Sequence, residues 1–154
     1  MEIERKFLIH TLPKNLNTFS HVTIEQGYLC TEPVLRIRRE NDDYIFTYKS
    51  KGLMVREEYN LPLTKIAYQE LKAKINGCLI QKKRYRIPLA NELTAELDIF
   101  EGTHAPLLLV EVEFPNEESA NTFLPPDWFG KEVTHETTYH NSTLSQLPSS
   151  ETNS

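Results

Sequence analysis

The chain has 154 residues, of which 39% are hydrophobic and 25% charged, with a formal net charge of -5. That is enough for one domain with its own core, and the acidic balance argues against a general nucleic-acid binder, which needs a basic surface for phosphates. No apolar run approaches the roughly 18 residues of a membrane span, and Met1 leads straight into a charged segment with no signal-peptide pattern. Cys30 and Cys78 are far apart and form no CxxC pair. They read as reduced thiols, and the expected compartment is the cytoplasm.

Alternation of polar with β-branched or aromatic residues predicts strands over 2–9, 22–29, 34–40, 44–50 and 55–61. Turn signals at Glu32-Pro33, Asn41-Asp42-Asp43 and Lys51-Gly52 separate the later ones closely enough to imply antiparallel hairpins. A helix is expected over 64–76, with Thr64 as its N-cap, Ala67, Leu71 and Ile75 on one face, and Gly77 at its end. Strands 80–88, 94–100 and 107–114 follow, divided at Ala90-Asn91 and Glu101-Gly102. A second helix is expected from Asn116 to about Leu124, stopped by Pro125-Pro126, and a third over 137–146. Residues 1–147 form the single expected domain, and the polar tail 148–154 is expected to be disordered.

Because successive strand residues face opposite ways, positions of equal parity can be read together. Glu2, Glu4 and Lys6 share a face; so do Arg36 and Arg38; Arg56, Glu58 and Asn60; Lys82, Arg84 and Arg86; Glu96 and Asp98; Glu111 and Glu113; Lys49 falls on the polar face of its strand. These faces are almost purely ionic, and their signs are sorted by strand. Segments 34–40, 44–50 and 80–88 are basic, while 94–100 and 107–114 are acidic. Like charges on one face repel, and a multivalent anion with divalent cations would relieve that repulsion. The candidate inward set holds eight cations and seven anions, a balance that a closed barrel can enclose. Arginine forks suit phosphate oxygens, and carboxylates suit Mg²⁺ or Mn²⁺.

The N-terminal Glu2-x-Glu4-x-Lys6 resembles the ExExK signature of the CYTH superfamily, the triphosphate tunnel metalloenzymes. Further segments stand in that family's order: Gln26-Gly27-Tyr28-Leu29, Leu35-Arg36-Ile37-Arg38, Thr47-Tyr48-Lys49, Arg56-Glu57-Glu58-Tyr59, Lys82-Lys83-Arg84, Glu96-Leu97-Asp98, Val110-Glu111-Val112-Glu113-Phe114 and Trp128-Phe129-Gly130. The resemblance runs from residue 2 to about 144 and is strongest to the small bacterial members. It implies an α+β fold: an eight-stranded antiparallel β-barrel, a tunnel with a charged interior and helices packed outside. It also implies hydrolysis of triphosphate compounds with Mg²⁺ or Mn²⁺. Carried over residue by residue, the metal ligands would be Glu2, Glu4, Glu111 and Glu113, with Glu58, Glu96 and Asp98 behind them. The phosphate clamp would be Lys6, Arg36, Arg38, Lys49, Arg56, Lys82 and Arg84. On chemical grounds Lys6 and Tyr28 are the candidates for proton management at the reacting phosphate, beside the alternatives of a plain clamp for Lys6 and a barrel-wall aromatic for Tyr28.

Two positions depart from the family pattern. Thr137-Thr138-Tyr139-His140-Asn141 lacks the basic residues common around the Tyr-x-Asn of relatives, and Asn60 stands where an acid is common. Three readings remain open: a triphosphatase, with inorganic triphosphate favoured over nucleoside triphosphates; an adenylate cyclase; and a non-catalytic polyphosphate- or nucleotide-binding module. No membrane or nucleic-acid partner is expected, and either a monomer or a homodimer fits. His10, His21, His104, His135 and His140 show no metal-site spacing. Trp128-Phe129 reads as an aromatic plug that packs a helix against the barrel.

Overall fold

The computed structural model describes residues 1–146; the predicted tail lies outside the described residues. The strands are β1 (Glu2–Ile9), β2 (His21–Thr31), β3 (Val34–Glu40), β4 (Asp43–Lys49), β5 (Val55–Arg56), β6 (Glu58–Pro62), β7 (Asn76–Pro88), β8 (Thr94–Glu101), β9 (Leu108–Glu113) and β10 (Phe129–Glu132). They run antiparallel in the order β10-β1-β9-β8-β7-β2-β3-β4-β6, with β5 returning to β1. The predicted strand 55–61 therefore makes the closure. Its first two residues pair with Glu2 and Ile3, and the stretch after Glu57 pairs with β4. Counted as one run, β5 and β6 complete the eight-stranded, nearly closed barrel that the sequence implied.

The short β10 lies outside that count. It pairs with the far half of β1, at Phe7 and Ile9, where β5 no longer reaches. It carries Phe129 onto Phe7, with ring centroids 5.0 Å apart, and Phe123 closes the group from further back in the chain. The expected aromatic plug is thus present, carried partly on a strand. Arg5 points away from the barrel interior and ties the same region together. It forms a two-bond fork with Glu132, at 2.8 and 2.7 Å, and donates to the Ala120 carbonyl at 2.7 Å.

Helix α1 (Lys65–Lys72) is capped as expected, with Thr64 Oγ1 accepting from the Ala67 N–H at 3.0 Å. It ends four residues earlier than the periodicity predicts, because the chain from Asn76 is recruited into β7. Its buried anchor is Tyr68, whose hydroxyl donates to Glu25 on the outer face of β2 at 2.8 Å. Helix α2 (Glu117–Thr122) uses Asn116 as its cap, accepting from the Ser119 N–H at 2.7 Å. The third predicted helix is broken into a single 3₁₀ turn, Thr137–Tyr139, and a one-turn α3 (Asn141–Leu144).

The apolar core is divided. One cluster lies on the outer wall of β1, β8 and β9, where Phe7, Leu97, Val110, Val112 and Phe114 meet Ala120 and Phe129. The other fills one end of the barrel: Tyr28, Val34, Ile80, Phe100 and Leu109 pack against Val133 and Leu144. Small barrels usually fill their interiors with apolar side chains. Here only one end is filled that way, and the rest of the lumen is left to charge.

Candidate active site

The register confirms that the ionic faces converge. Across the β1–β9 pair, Glu4 faces Glu113 and Lys6 faces Glu111. Glu96 faces Glu111 across β8–β9, Arg84 faces Asp98 across β7–β8, Tyr28 faces Arg36 across β2–β3, and Lys49 faces Glu58 across β4–β6. They enclose a cavity of about 180 Å³, lined by seven cations (Lys6, Arg36, Arg38, Lys49, Arg56, Arg84, Arg86) and seven acids (Glu2, Glu4, Glu40, Glu58, Glu96, Glu111, Glu113). Tyr28, Val34, His140, Asn141 and Ser142 complete the lining.

Lys82 and Asp98, counted inward from the sequence, are not in this lining. They lie beneath it, 0% and 1% exposed. Lys82 Nζ is 2.7 Å from Asp98, and Arg84 grips the same carboxylate with two bonds of 2.7 and 2.8 Å. Burial and two guanidinium neighbours push the Lys82 ammonium down to about 7 despite Asp98. Arg84 reaches further to Glu96 at 3.2 Å and Glu111 at 3.4 Å. Its donors are therefore largely committed to carboxylates.

Arg36 is in the opposite condition. It is buried, its Nη2 donates to Thr47 Oγ1 at 3.2 Å, and its Nε has no partner among the described residues. The Thr47 hydroxyl in turn donates to Asn60 Oδ1 at 2.6 Å. The residue standing in for the family's acid thus fixes the hydroxyl that orients Arg36. A buried guanidinium donor without an acceptor is costly, and because Arg36 also lines the cavity, an anion held there would meet a guanidinium with little other commitment. Beside it, Arg38 donates to Gln26 Oε1 at 2.9 Å and pairs with Glu40 at 3.1 Å. Burial, then Arg36 and Arg84, lower Arg38 to about 10, which leaves it a cation at neutral pH.

Lys6 Nζ lies 3.0 Å from Glu111 and donates to the Tyr139 carbonyl at 3.2 Å. Burial lowers its pKa, but Glu111 and Glu4 outweigh that and raise it. Lys49 sits 2.9 Å from Glu2 and 3.8 Å from Glu58. Tyr28 is buried in the wall, and its hydroxyl accepts a long bond of 3.4 Å from Gln26. Gln26 and Thr47, which orient Arg38 and Arg36, carry no charge and so left no mark in a reading based on ion signs. Glu40 and the His140–Ser142 segment were likewise unassigned.

Among the acids predicted to bind metal, Glu2, Glu58, Glu96 and Glu111 are held by lysines or arginines, whereas Glu4 and Glu113 take part in no ion pair among the described residues. Burial and then Glu111 drive Glu4 up to about 8. Burial, then Glu2, Glu58 and Glu96, raise Glu113 as well. Facing carboxylates across a strand pair destabilise a sheet unless something cationic lies between them, and hard oxygen donors are what Mg²⁺ and Mn²⁺ take. The donor chemistry therefore fits such an ion, although no three carboxylates among the described residues are already gathered around a common point.

The titration of Glu4 has a measurable consequence for stability. Its folded-state pKa lies above the unfolded value of 4.5, so its stabilising share is complete below that value and is lost as pH rises through about 8. With chelator present, thermal stability should fall across this window, and Glu4→Gln should flatten the decline. Identical pH slopes in both proteins would refute the Glu4 assignment.

A nearly closed antiparallel tunnel whose lumen pairs arginines and lysines with carboxylates defines a class of protein built to enclose a small polyanion. The chain belongs to the CYTH domain family, whose match spans residues 1–149. It is 40% identical over 146 residues to an inorganic triphosphatase of Nitrosomonas europaea, covering 93% of this chain and 95% of that protein. It is 33% identical to an inorganic triphosphatase of Acetivibrio thermocellus, covering 96% and 94%. The crystal structure of the inorganic triphosphatase NE1496 superposes with a TM-score of 0.72 at 37% identity, covering 97% of each chain.

Proposed function

We propose that this protein hydrolyses inorganic triphosphate to pyrophosphate and orthophosphate inside the tunnel. The observation that carries the reading is the open Arg36 fork beside Arg38 in a cavity lined almost wholly by charge. Full-length relatives with that activity support it. Phosphoryl transfer needs positioning and charge neutralisation more than covalent chemistry. Arg36, Arg38, Lys49 and Arg56 would grip the phosphates, and Lys6, held as an ammonium, would serve as a clamp or proton donor rather than a base. Tyr28 would offer its hydroxyl to the reacting phosphate. Lys82 and Arg84 would support the clamp from below.

Glu4 and Glu113, with Glu2, Glu58, Glu96 and Glu111 beside them, would hold Mg²⁺ or Mn²⁺. Such an ion would supply charge neutralisation at the phosphate oxygens and activation of water. The cation would have to displace the proton that Glu4 carries near neutrality. Among the described residues no helix is long and apolar enough to cross a membrane.

The test is an assay of purified protein with Mg²⁺ or Mn²⁺ against inorganic triphosphate, ATP and thiamine triphosphate, resolving every product. Orthophosphate release, fastest from inorganic triphosphate and abolished by chelator, is expected. Cyclic AMP with pyrophosphate would replace the reading by a cyclase. Tight binding without turnover would replace it by a binding module.

A further inference from the structure

The segment that closes the filled end of the barrel is too short to hold itself. Helix α3 has four residues, far below the length at which a helix is stable alone. Yet this segment touches the inner lysines. Asn141 Oδ1 accepts from Lys82 Nζ at 3.3 Å, and the Tyr139 carbonyl accepts from Lys6 at 3.2 Å.

What fixes the segment comes from elsewhere in the chain. His104, in the turn Gly102–His104 between β8 and β9, is buried with its ring 6.2 Å from that of Phe100. Its Nε2 lies 2.7 Å from the Leu144 carbonyl. A carbonyl only accepts, so Nε2 must carry the proton. Nδ1 is buried without a partner among the described residues, so the whole hydrogen-bonding use of this ring is the bond to Leu144. A second tie comes from β7, where the Cys78 N–H donates to the Ser145 carbonyl at 2.7 Å. Gly77, at φ +83°, precedes it, and a Cβ there would collide with that same carbonyl.

We propose that His104 is a positioning residue for the phosphate clamp, acting through Leu144 to hold residues 139–145 against Lys6 and Lys82. The proposal rests on reading the tunnel as a triphosphate site. As a clamp, Lys6 would contact substrate and transition state alike, so a loosened segment weakens uniform binding and appears in KM rather than kcat.

The test compares His104→Leu, which keeps apolar bulk, with His104→Gln, whose side-chain N–H can still reach the carbonyl. Steady-state kinetics on inorganic triphosphate are read together with amide hydrogen exchange of residues 137–146. His104→Leu should raise KM about tenfold with kcat within about twofold, the size expected for one buried hydrogen bond. It should also speed exchange in that segment. His104→Gln should recover most of both effects, and Gly77→Ala, pressing from the other side, should reproduce the His104→Leu signature. Wild-type KM and exchange in His104→Leu would overturn the proposal. So would a loss of kcat and thermal stability with unchanged KM and no rescue by glutamine. If the wild-type protein turns over no triphosphate, the tunnel reading has failed, and the exchange data still decide whether His104 holds the segment.

Discussion

Replacing Arg36 by alanine should cut kcat/KM for inorganic triphosphate by about a hundred- to a thousandfold, the usual effect of removing one preorganised donor from a water-poor site, without unfolding the protein. The side chain makes a single bond to the protein among the described residues, to Thr47. Its unpartnered Nε is a debt carried by the folded state. Arg36 also burdens Arg38, whose pKa it helps to depress. Deleting it therefore removes a repulsion along with a buried unsatisfied donor, and thermal stability should hold or rise. Arg36→Lys should not restore activity, because an ammonium offers no planar fork to a phosphate. Kinetics and thermal unfolding on the two variants make the check. An alanine variant with full activity would remove Arg36 from the clamp, and one that loses activity only by unfolding would do the same.

The tunnel could be read from sequence because its charges obey the two-residue period of a strand. Glu4 with Lys6, Arg36 with Arg38, and Glu111 with Glu113 recur at that spacing, and the register turns each pair inward. Parity identifies a face but not a depth. Lys82 has the same parity as Arg84, and Asp98 the same as Glu96, yet the first of each pair sits one step nearer the apolar end and drops beneath the cavity. Depth depends on strand tilt and on what fills the end, Phe100, Leu109 and Leu144 here, none of which a single strand reveals. The boundaries that moved did so for tertiary reasons. The chain after Lys72 was periodic enough to continue as helix, but from Asn76 it is needed to extend β7 beside β2. Likewise Phe129–Glu132 carries little strand pattern and becomes one because β1 has a free edge beyond Ile3. Thr47 and Gln26 stand in the family-like segments, but their role is to orient arginines, and neutral orienters give no charge signal.

The same difference in depth separates two roles for an acid that the family resemblance groups together. Asp98→Ala should destabilise the protein by about 3–5 kcal/mol, the cost of leaving buried charges without their counter-ion. Arg84 would lose both bonds of its fork and Lys82 its 2.7 Å partner. Lys82, already pushed to about 7 with Asp98 in place, would then be discharged throughout the neutral range. Adding Lys82→Met to Asp98→Ala should restore part of the loss, because the stranded amine is removed with its partner; the non-additivity measures the pair. A metal ligand behaves differently. If Asp98 held a divalent cation, its removal would cost stability mainly in metal-loaded protein, and chelator would erase the difference from wild type. The buried ion-pair role requires equal losses with chelator and with Mg²⁺, read by urea unfolding under both conditions. Glu4→Gln supplies the contrast, since its carboxylate takes part in no ion pair among the described residues and burial already drives it toward the protonated form: it should leave chelated protein as stable as wild type or more so near neutral pH, and abolish the stabilisation that Mg²⁺ confers.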